Sequence, residues 1–372
     1  MDSLGNPAVV RTLVIGGSGN FGARIARALQ GDPAIELLLA GRRAARIPGA
    51  EALPGIALDI AAPKLADRLA ALAPGLIIHC AGPFQGQDYR VAQAALLSGA
   101  HYLDLADGRD FVTGFTTSAD AMARSANRIA ITGASTLPAL SSAVIDGLLG
   151  PFSTIERIGI AIAPGQRAPR GLATLEAVFS YLGRPFPVWR GGRWRQVWGW
   201  MDLRRLRFDA GARWAAACDV PDLALFPERY PGSGSVDFHA ALEFGIQHCA
   251  LWLLAAVRRL GLPINVGRWA VRLNGAAASF DRWAGDWGGM RVQVDGVAHD
   301  GRPSRRTWQL CAPALHGPEI PCMPAILLAR RIARGSITQR GAYACMGFLT
   351  LADFEAEFAR WGIRTRIEEG LG

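Results

Sequence analysis

The chain has 372 residues, too many for one ordinary domain at roughly 150 residues each, which points to two. Half of the residues are hydrophobic and 19% are charged, so the chain can bury a substantial core and is not a disordered polymer. The formal charge of +9 rests on arginine: Lys64 is the only lysine, leaving 39 of the 40 basic residues as arginines.

A single lysine excludes two chemistries. The proton-relay pair of short-chain dehydrogenases needs a tyrosine four residues before a lysine, and Ile60 stands four before Lys64. Lys64 also opens a helix-like, solvent-facing segment, so a lysine Schiff base is not expected. The arginines are scattered and no nucleic-acid motif is present, which reads as a basic solvated surface.

Six cysteines (Cys80, Cys218, Cys249, Cys311, Cys322 and Cys345) stand too far apart for zinc knuckles, so no metal is implied. Met1 to Val10 lacks a charged start followed by an apolar run, which leads us to expect no leader and reduced thiols in the cytoplasm. The longest apolar stretch, Cys249 to Val257, is short of the roughly 20 residues that span a bilayer and reads as a core helix.

In chain order, Arg11 to Ile15 is a short apolar strand running into a glycine-rich turn and a helix over Ala23 to Leu29. Further strands are predicted at Ile35 to Ala40, Gly55 to Ile60, Leu76 to Cys80, Tyr102 to Leu105 and Arg128 to Thr132. Helices are predicted at Leu65 to Leu72, Tyr89 to Leu97 and Ser118 to Ala126. This alternation is the pattern of an α/β, doubly wound parallel sheet of Rossmann type over residues 1–150.

After Gly150 tryptophan and arginine become dense and alternating segments such as Ile158 to Ala163 and Met290 to Val297 predict an antiparallel sheet. A second α+β domain, for substrate or dimerisation, is placed at 151–318. Trp189, Trp194, Trp198 and Trp200 within it read as aromatic packing on that sheet. The amphipathic segments Pro324 to Ala333 and Leu351 to Trp361, the second opened by Thr350 with Asp353 at capping-box position, make 319–372 a helical C-terminal part expected to pack back on the first domain.

The turn reads Gly16-Gly17-Ser18-Gly19-Asn20-Phe21-Gly22 and contains G-x-G-x-x-G at Gly17, Gly19 and Gly22. Such glycines permit a sharp turn, close approach of a pyrophosphate to the backbone, and close packing of helix on sheet. The following helix N-terminus faces the phosphates. Where an NAD enzyme would place Asp or Glu after the second strand, this chain has Arg42 and Arg43, cations suited to the 2′-phosphate of NADP. Asp59 and Ile60 close the third strand within reach of an adenine, and Cys80, Ala81, Gly82 and Pro83 bring small residues beside the nicotinamide ribose.

These residues carry a resemblance. Gly16 to Gly22, then Cys80-Ala81-Gly82-Pro83-Phe84, then His101-Tyr102-Leu103-Asp104-Leu105-Ala106-Asp107-Gly108 resemble the saccharopine dehydrogenase-like NADP-binding oxidoreductases, and further along Gly288-Gly289-Met290 and His316-Gly317-Pro318-Glu319-Ile320-Pro321 look like bacterial members of that group. The segment Thr132 to Ser141 looks like that family's link from the sixth strand to a helix. The resemblance covers about the first 150 residues and implies a Rossmann domain, a nicotinamide cofactor and hydride transfer. The family's better-known enzymes act on an amino acid joined to a keto acid or aldehyde through a secondary amine, and this chain lacks a lysine where they would use one.

For chemistry, the sequence offers Asp107 and Asp104 at the end of the fifth strand, His79 and Cys80 on the fourth, and Ser141 with Ser142 at a helix start where hydroxyls and amides could hold an anion. Asp107, His79 and Ser141 are the candidates for catalysis. Arg167 and Arg170 could clamp a carboxylate, and His316 and Glu319 lie in a turn-rich loop. The leading reading is an NADP-dependent oxidoreductase, expected as a homodimer, acting on a small organic or lipid-like substrate held between the domains. Two alternatives stand beside it: a non-catalytic NADP-binding regulator, and a membrane-associated or carrier-bound enoyl reductase that uses the Trp- and Arg-rich second domain at a membrane surface.

Overall fold

The computed structural model describes residues 9–44, 47, 53–169, 180–261, 275 and 277–370. They form two compact units, the first comprising Met1–Ala139 with Glu319–Leu349 and the second Leu140–Pro318 with Thr350–Gly372.

The first unit is built on a seven-stranded parallel sheet of β1 (Val10–Ile15), β2 (Ile35–Gly41), β3 (Gly55–Ala57), β4 (Leu76–His79), β5 (His101–Asp104), β6 (Ile129–Thr132) and a late strand, β15 (Gly341–Ala344). Across the sheet they run 3-2-1-4-5-6-15. The four residues Leu76–His79 of β4 and the four of β6 are all buried, as strands covered on both faces must be. Helix α1 (Asn20–Leu29) buries Gly22, Ile25, Ala26 and Leu29, which is one stripe at helical spacing.

Helices α2 (Leu65–Leu72), α3 (Arg90–Leu97) and α4 (Arg109–Ser125) connect the later strands. The sequence pattern predicts the last of these only from Ser118. Thr113, Gly114, Thr116 and Thr117 are poor helix formers, but Phe111, Val112 and Phe115 are buried, and this packing carries the helix nine residues further back.

In the second unit α5 (Ser141–Leu148) leads into a nine-stranded mixed sheet of β7 (Phe152–Ala163), β8 (Pro185–Arg190), β9 (Trp194–Trp198), β10 (Arg204–Phe208), β11 (Gly211–Ala217), β12 (Ser235–Ala241), β13 (Gly288–Ala298), β14 (Pro303–Ala312) and a last strand β16 (Arg364–Gly370). The pairing is antiparallel apart from β7 on β12, which run parallel. Trp189 and Trp194 meet edge to face at 5.3 Å across the β8–β9 hairpin.

Two helices of this unit are α6 (Asp222–Arg229) and α7 (Gly245–Arg259). The apolar stretch expected to form a core helix lies in α7, but among its residues only His248 and Ala255 are buried. Of its leucines Leu253 is exposed, and Leu251 and Leu254 are half-buried.

The C-terminal segment divides between the units. Helix α8 (Met323–Ala333) and β15 (Gly341–Ala344) belong to the first, where Arg330 donates to the Ala28 carbonyl on α1 at 3.0 Å and β15 pairs with β6. Helix α9 (Leu351–Arg360) and β16 belong to the second. The capping box at Thr350 and Asp353 is present, with the Thr350 amide donating to Asp353 at 2.7 Å.

Candidate functional site

The strand order of the first unit reverses between β1 and β4, and the crevice outside the carboxyl ends of such strands is where open α/β sheets bind ligands. The loops that follow β1 and β4 touch there. Gly16 adopts φ +79°, and a β-carbon on it would lie 3.0 Å from the Ala81 amide nitrogen. A β-carbon on Gly17 would lie 3.1 Å from the Leu39 side chain of β2, and one on Gly22 would collide with the Gly16 carbonyl. Gly19 is different: a β-carbon on it would meet only the Gly16 oxygen, at 3.1 Å, and it is exposed.

Gly19 is the N-cap of α1, where no side chain caps the helix and no acidic residue occupies the first turn. The first amides of a helix lack intrahelical partners and carry partial positive charge, so this end suits a phosphate. Ser18, Gly19, Asn20, Arg24, Arg27 and Ile47 line a cleft of about 210 Å³ beside it. Phe21 lies at the start of the helix, and its carbonyl accepts the Cys322 thiol at 3.7 Å.

Arg42 and Arg43 follow β2 and are exposed, and neither pairs with a carboxylate among the described residues. Asp59 and Ile60 lie just past β3, which ends at Ala57. The Asp59 carboxylate is occupied in a turn, accepting from the Ala61 amide at 2.9 Å. In the loop after β4, Gln87 donates to the Ala81 carbonyl at 2.9 Å and to the Pro83 carbonyl at 2.6 Å, so the backbone from Cys80 to Pro83 is held from one side. Burial pushes the half-buried Cys80 thiol up, with the charge of Asp104 adding to it, and the thiol stays protonated.

The two carboxylates after β5 differ in surroundings. Asp104 is fully buried and accepts hydrogen bonds from the Gly133 amide (2.8 Å), the Ala106 amide (2.9 Å) and the Thr132 hydroxyl (2.8 Å). Burial dominates, so its carboxyl is pushed up to about 6 despite those donors. Asp107 is open to solvent and takes a hydrogen bond from Gln85 at 3.2 Å, while crowding by surrounding protein raises its carboxyl above the ordinary value.

His79 faces inward. Its Nδ1 is 3.0 Å from the Tyr102 hydroxyl, its ring meets Phe84 at 5.1 Å, and burial lowers it to about 4, so it is neutral at neutral pH. Ser141 lies in the second unit, fully buried, with its hydroxyl donating to Asp222 on α6. The anion site expected at this helix start is therefore filled by the protein's own carboxylate, and Ser142 is buried beside it. Sequence reasoning missed this because Asp222 is 81 residues away.

Of the remaining expected residues, Arg167 is exposed and Arg170 lies outside the described residues. His316 bonds the Trp361 carbonyl at 2.8 Å in the second unit, and Glu319 pairs with Arg24 of α1 in the first. Arg24, Arg27 and Gln87 were not singled out from the sequence. The two arginines are three apart on α1, a spacing that puts both on one face. Among the described residues no cluster of histidine, cysteine, aspartate or glutamate could hold a metal.

Over 97% of its length this chain superposes on all of the apo histidine-tagged saccharopine dehydrogenase (L-Glu forming) from Saccharomyces cerevisiae, with a TM-score of 0.68 at 13% identity. The chain has the saccharopine dehydrogenase-like fold. Homospermidine synthase from Legionella pneumophila, solved with NAD, matches 98% of this chain with 91% of its own at TM-score 0.59 and 9% identity. An engineered D-amino acid dehydrogenase bound to NADP+ matches 94% of this chain with 99% of its own at TM-score 0.50 and 16% identity. No family model matches the chain, and no curated protein matches it in sequence.

Proposed function

We propose that this protein is an NADP-dependent oxidoreductase that moves a hydride to or from a small organic substrate. One observation carries the reading: an uncapped, acid-free helix start behind an exposed glycine, set at the β1/β4 reversal of the sheet. Backbone at Gly17, Ser18 and Gly19 with the amides of Asn20, Phe21 and Gly22 would take the pyrophosphate. Arg42 and Arg43 would take the 2′-phosphate, Asp59 and Ile60 would border the adenine, and Cys80 to Pro83 would border the nicotinamide ribose. The dinucleotide would supply the hydride in its reduced form or accept it in its oxidised form.

Asp107 is the residue best placed to manage a proton, since a carboxyl raised above its ordinary value and open to solvent keeps a proton to higher pH. The buried, neutral His79 fixes the edge of the sheet and does not reach solvent. The names and bound dinucleotides of the solved neighbours support nicotinamide chemistry on this fold.

A non-catalytic NADP-binding regulator is the second reading, favoured by the burial of His79 and Ser141. Calorimetric titration with NADPH, followed by NADPH oxidation against imines, aldehydes and enoyl thioesters, separates the two. Tight binding with turnover of one class is expected. Tight binding with turnover of none makes the protein a regulator, and no binding ends both readings.

A further inference from the structure

Among the described residues, five of the nine exposed large apolar side chains come from one corner of the second unit: Trp214, Ile246, Leu253, Leu260 and Trp283. Ile246, Leu253 and Leu260 recur every seven residues along α7 and its C-cap, which puts them on one stripe about 21 Å long at 1.5 Å per residue. They are 67%, 58% and 82% exposed, values far beyond those of a helix packed on its own protein. The corner is continuous: a β-carbon on Gly245 would touch Trp214 at 3.7 Å, and rings link Phe244 to Phe280 at 5.3 Å and Phe280 to Trp283 at 6.1 Å.

The charge along α7 has one sign. From residue 244 to residue 280 the sequence holds no aspartate or glutamate and four arginines, Arg258, Arg259, Arg268 and Arg272, the last two outside the described residues. The acids that bound this stretch are held by donors of the unit itself. Glu243 accepts from the Gly285 amide at 2.6 Å and the Gln166 amide at 3.1 Å, and Asp281 accepts from the Gln166 side chain at 3.0 Å. Arg282 lies over the Trp283 ring at 3.7 Å and Arg259 over Trp198 at 3.9 Å, an arrangement in which cation and indole meet the same partner.

We infer that α7 and Trp283 dock this protein on an anionic lipid surface. An apolar stripe flanked by arginines and tryptophan, without an acid, is the composition that settles in the plane of a bilayer interface, with the apolar side in the acyl boundary and the cations among headgroups. The 15 residues of α7 extend about 22 Å, short of the roughly 30 Å hydrocarbon core, so the helix lies on the surface. Another protein's apolar face would satisfy the leucines and leave an arginine rim with no matching charge.

The test is flotation of the full chain with vesicles of phosphatidylcholine, with and without phosphatidylglycerol, and light scattering of the chain alone. We expect flotation only with phosphatidylglycerol, weakened by salt. Ile246→Glu with Leu253→Glu should weaken it at least tenfold, because each buried leucine-sized side chain is worth about tenfold and the new charges repel the headgroups. Both positions are exposed, so an unchanged melting midpoint should accompany the loss, and Trp283→Ala gives an independent arm with a smaller loss. No flotation, equal flotation on phosphatidylcholine alone, or flotation indifferent to all three substitutions overturns the inference. So does a doubled mass that the glutamate pair halves, which would make this face the seat of a second copy.

Discussion

The ends of β1 and β5 lie on the same edge of one sheet, yet they are finished in opposite ways. After β1 the chain offers bare backbone: three glycines are packed against strand or loop atoms and one, Gly19, faces water with an uncapped helix behind it. After β5 it closes on itself, with Asp104 taking three donors from the ends of β5 and β6, and His79 and Tyr102 sealed beside it. Buried polar groups must be satisfied by the fold, whereas amides at an open helix start can wait for a ligand. The first region is therefore where a ligand is expected, and the second is what holds the edge in shape.

The largest test of this contrast lies within the turn itself. At Gly19 the backbone is extended, with φ −73°, so a side chain is tolerated sterically, and only the Gly16 oxygen at 3.1 Å must yield slightly. Gly19→Val should therefore fold with a nearly unchanged melting midpoint and lose NADPH binding below calorimetric detection, because its branches fill the space a pyrophosphate would take. Gly22→Val, colliding with the Gly16 and Gly17 backbone, should lower the melting midpoint instead. Unchanged NADPH affinity in Gly19→Val would remove the turn as a phosphate cradle.

That division among the glycines shows what sequence alone can supply. Spacing marks the turn, and six strands of the first sheet follow from short apolar runs between helical patterns. The seventh, Gly-Ala-Tyr-Ala at 341–344, is too short and too weakly apolar to announce itself and is fixed by pairing with β6 over 200 residues earlier in the chain. The same limit applies to the candidate residues. Arg42 and Arg43 follow directly from their place after β2, but Ser141 looks like an open helix start until Asp222 is seen to fill it, and Glu319 looks like a free acid of a turn-rich loop until Arg24 is seen beside it. Local periodicity reaches a few residues; these partners lie 81 and 295 residues away.

The closed region can be tested by pH, because its two titrating groups pull in opposite directions. His79 sits at about 4 in the fold against 6.5 ordinarily, so the unfolded chain takes up its proton first and stability falls as pH drops from about 6.5 to 4. Asp104 sits at about 6 against 3.8, so the fold holds a proton that the unfolded chain gives up, and its contribution grows as pH drops from about 6 to 4. Each amounts to about 3 kcal/mol at 1.36 kcal/mol per pH unit. His101 and His248 are also lowered to about 4, so the readout is the change in slope from the parent chain. In urea melts at pH 7 and pH 5, His79→Gln should lose less stability on acidification than the parent, and Asp104→Asn should lose more. Parallel slopes for all three chains would mean that the region is wetter than its burial implies.

The smallest expected effect, and the one that decides the cofactor, falls on Arg42 and Arg43. Arg24 and Arg27 line the cleft beside the turn, and Arg24 is paired with Glu319, whereas Arg42 and Arg43 follow β2, the place from which a cation would meet a 2′-phosphate. That phosphate carries about −1.5 to −2 charges near neutral pH, and one charge-assisted hydrogen bond is worth roughly 1.5–3 kcal/mol. Since about 1.4 kcal/mol is a factor of ten, a single contact gives tenfold or greater preference for NADPH over NADH. Because both side chains are exposed and screened, the lower end of that range is the better guide. Replacing both with alanine should weaken NADPH about tenfold and leave NADH nearly unchanged, as the pyrophosphate cradle and the loop after β4 are untouched. The difference should shrink as salt is raised. If the parent chain binds NADH as tightly as NADPH at physiological salt, the arginines are surface charges, and the glycine turn serves NAD.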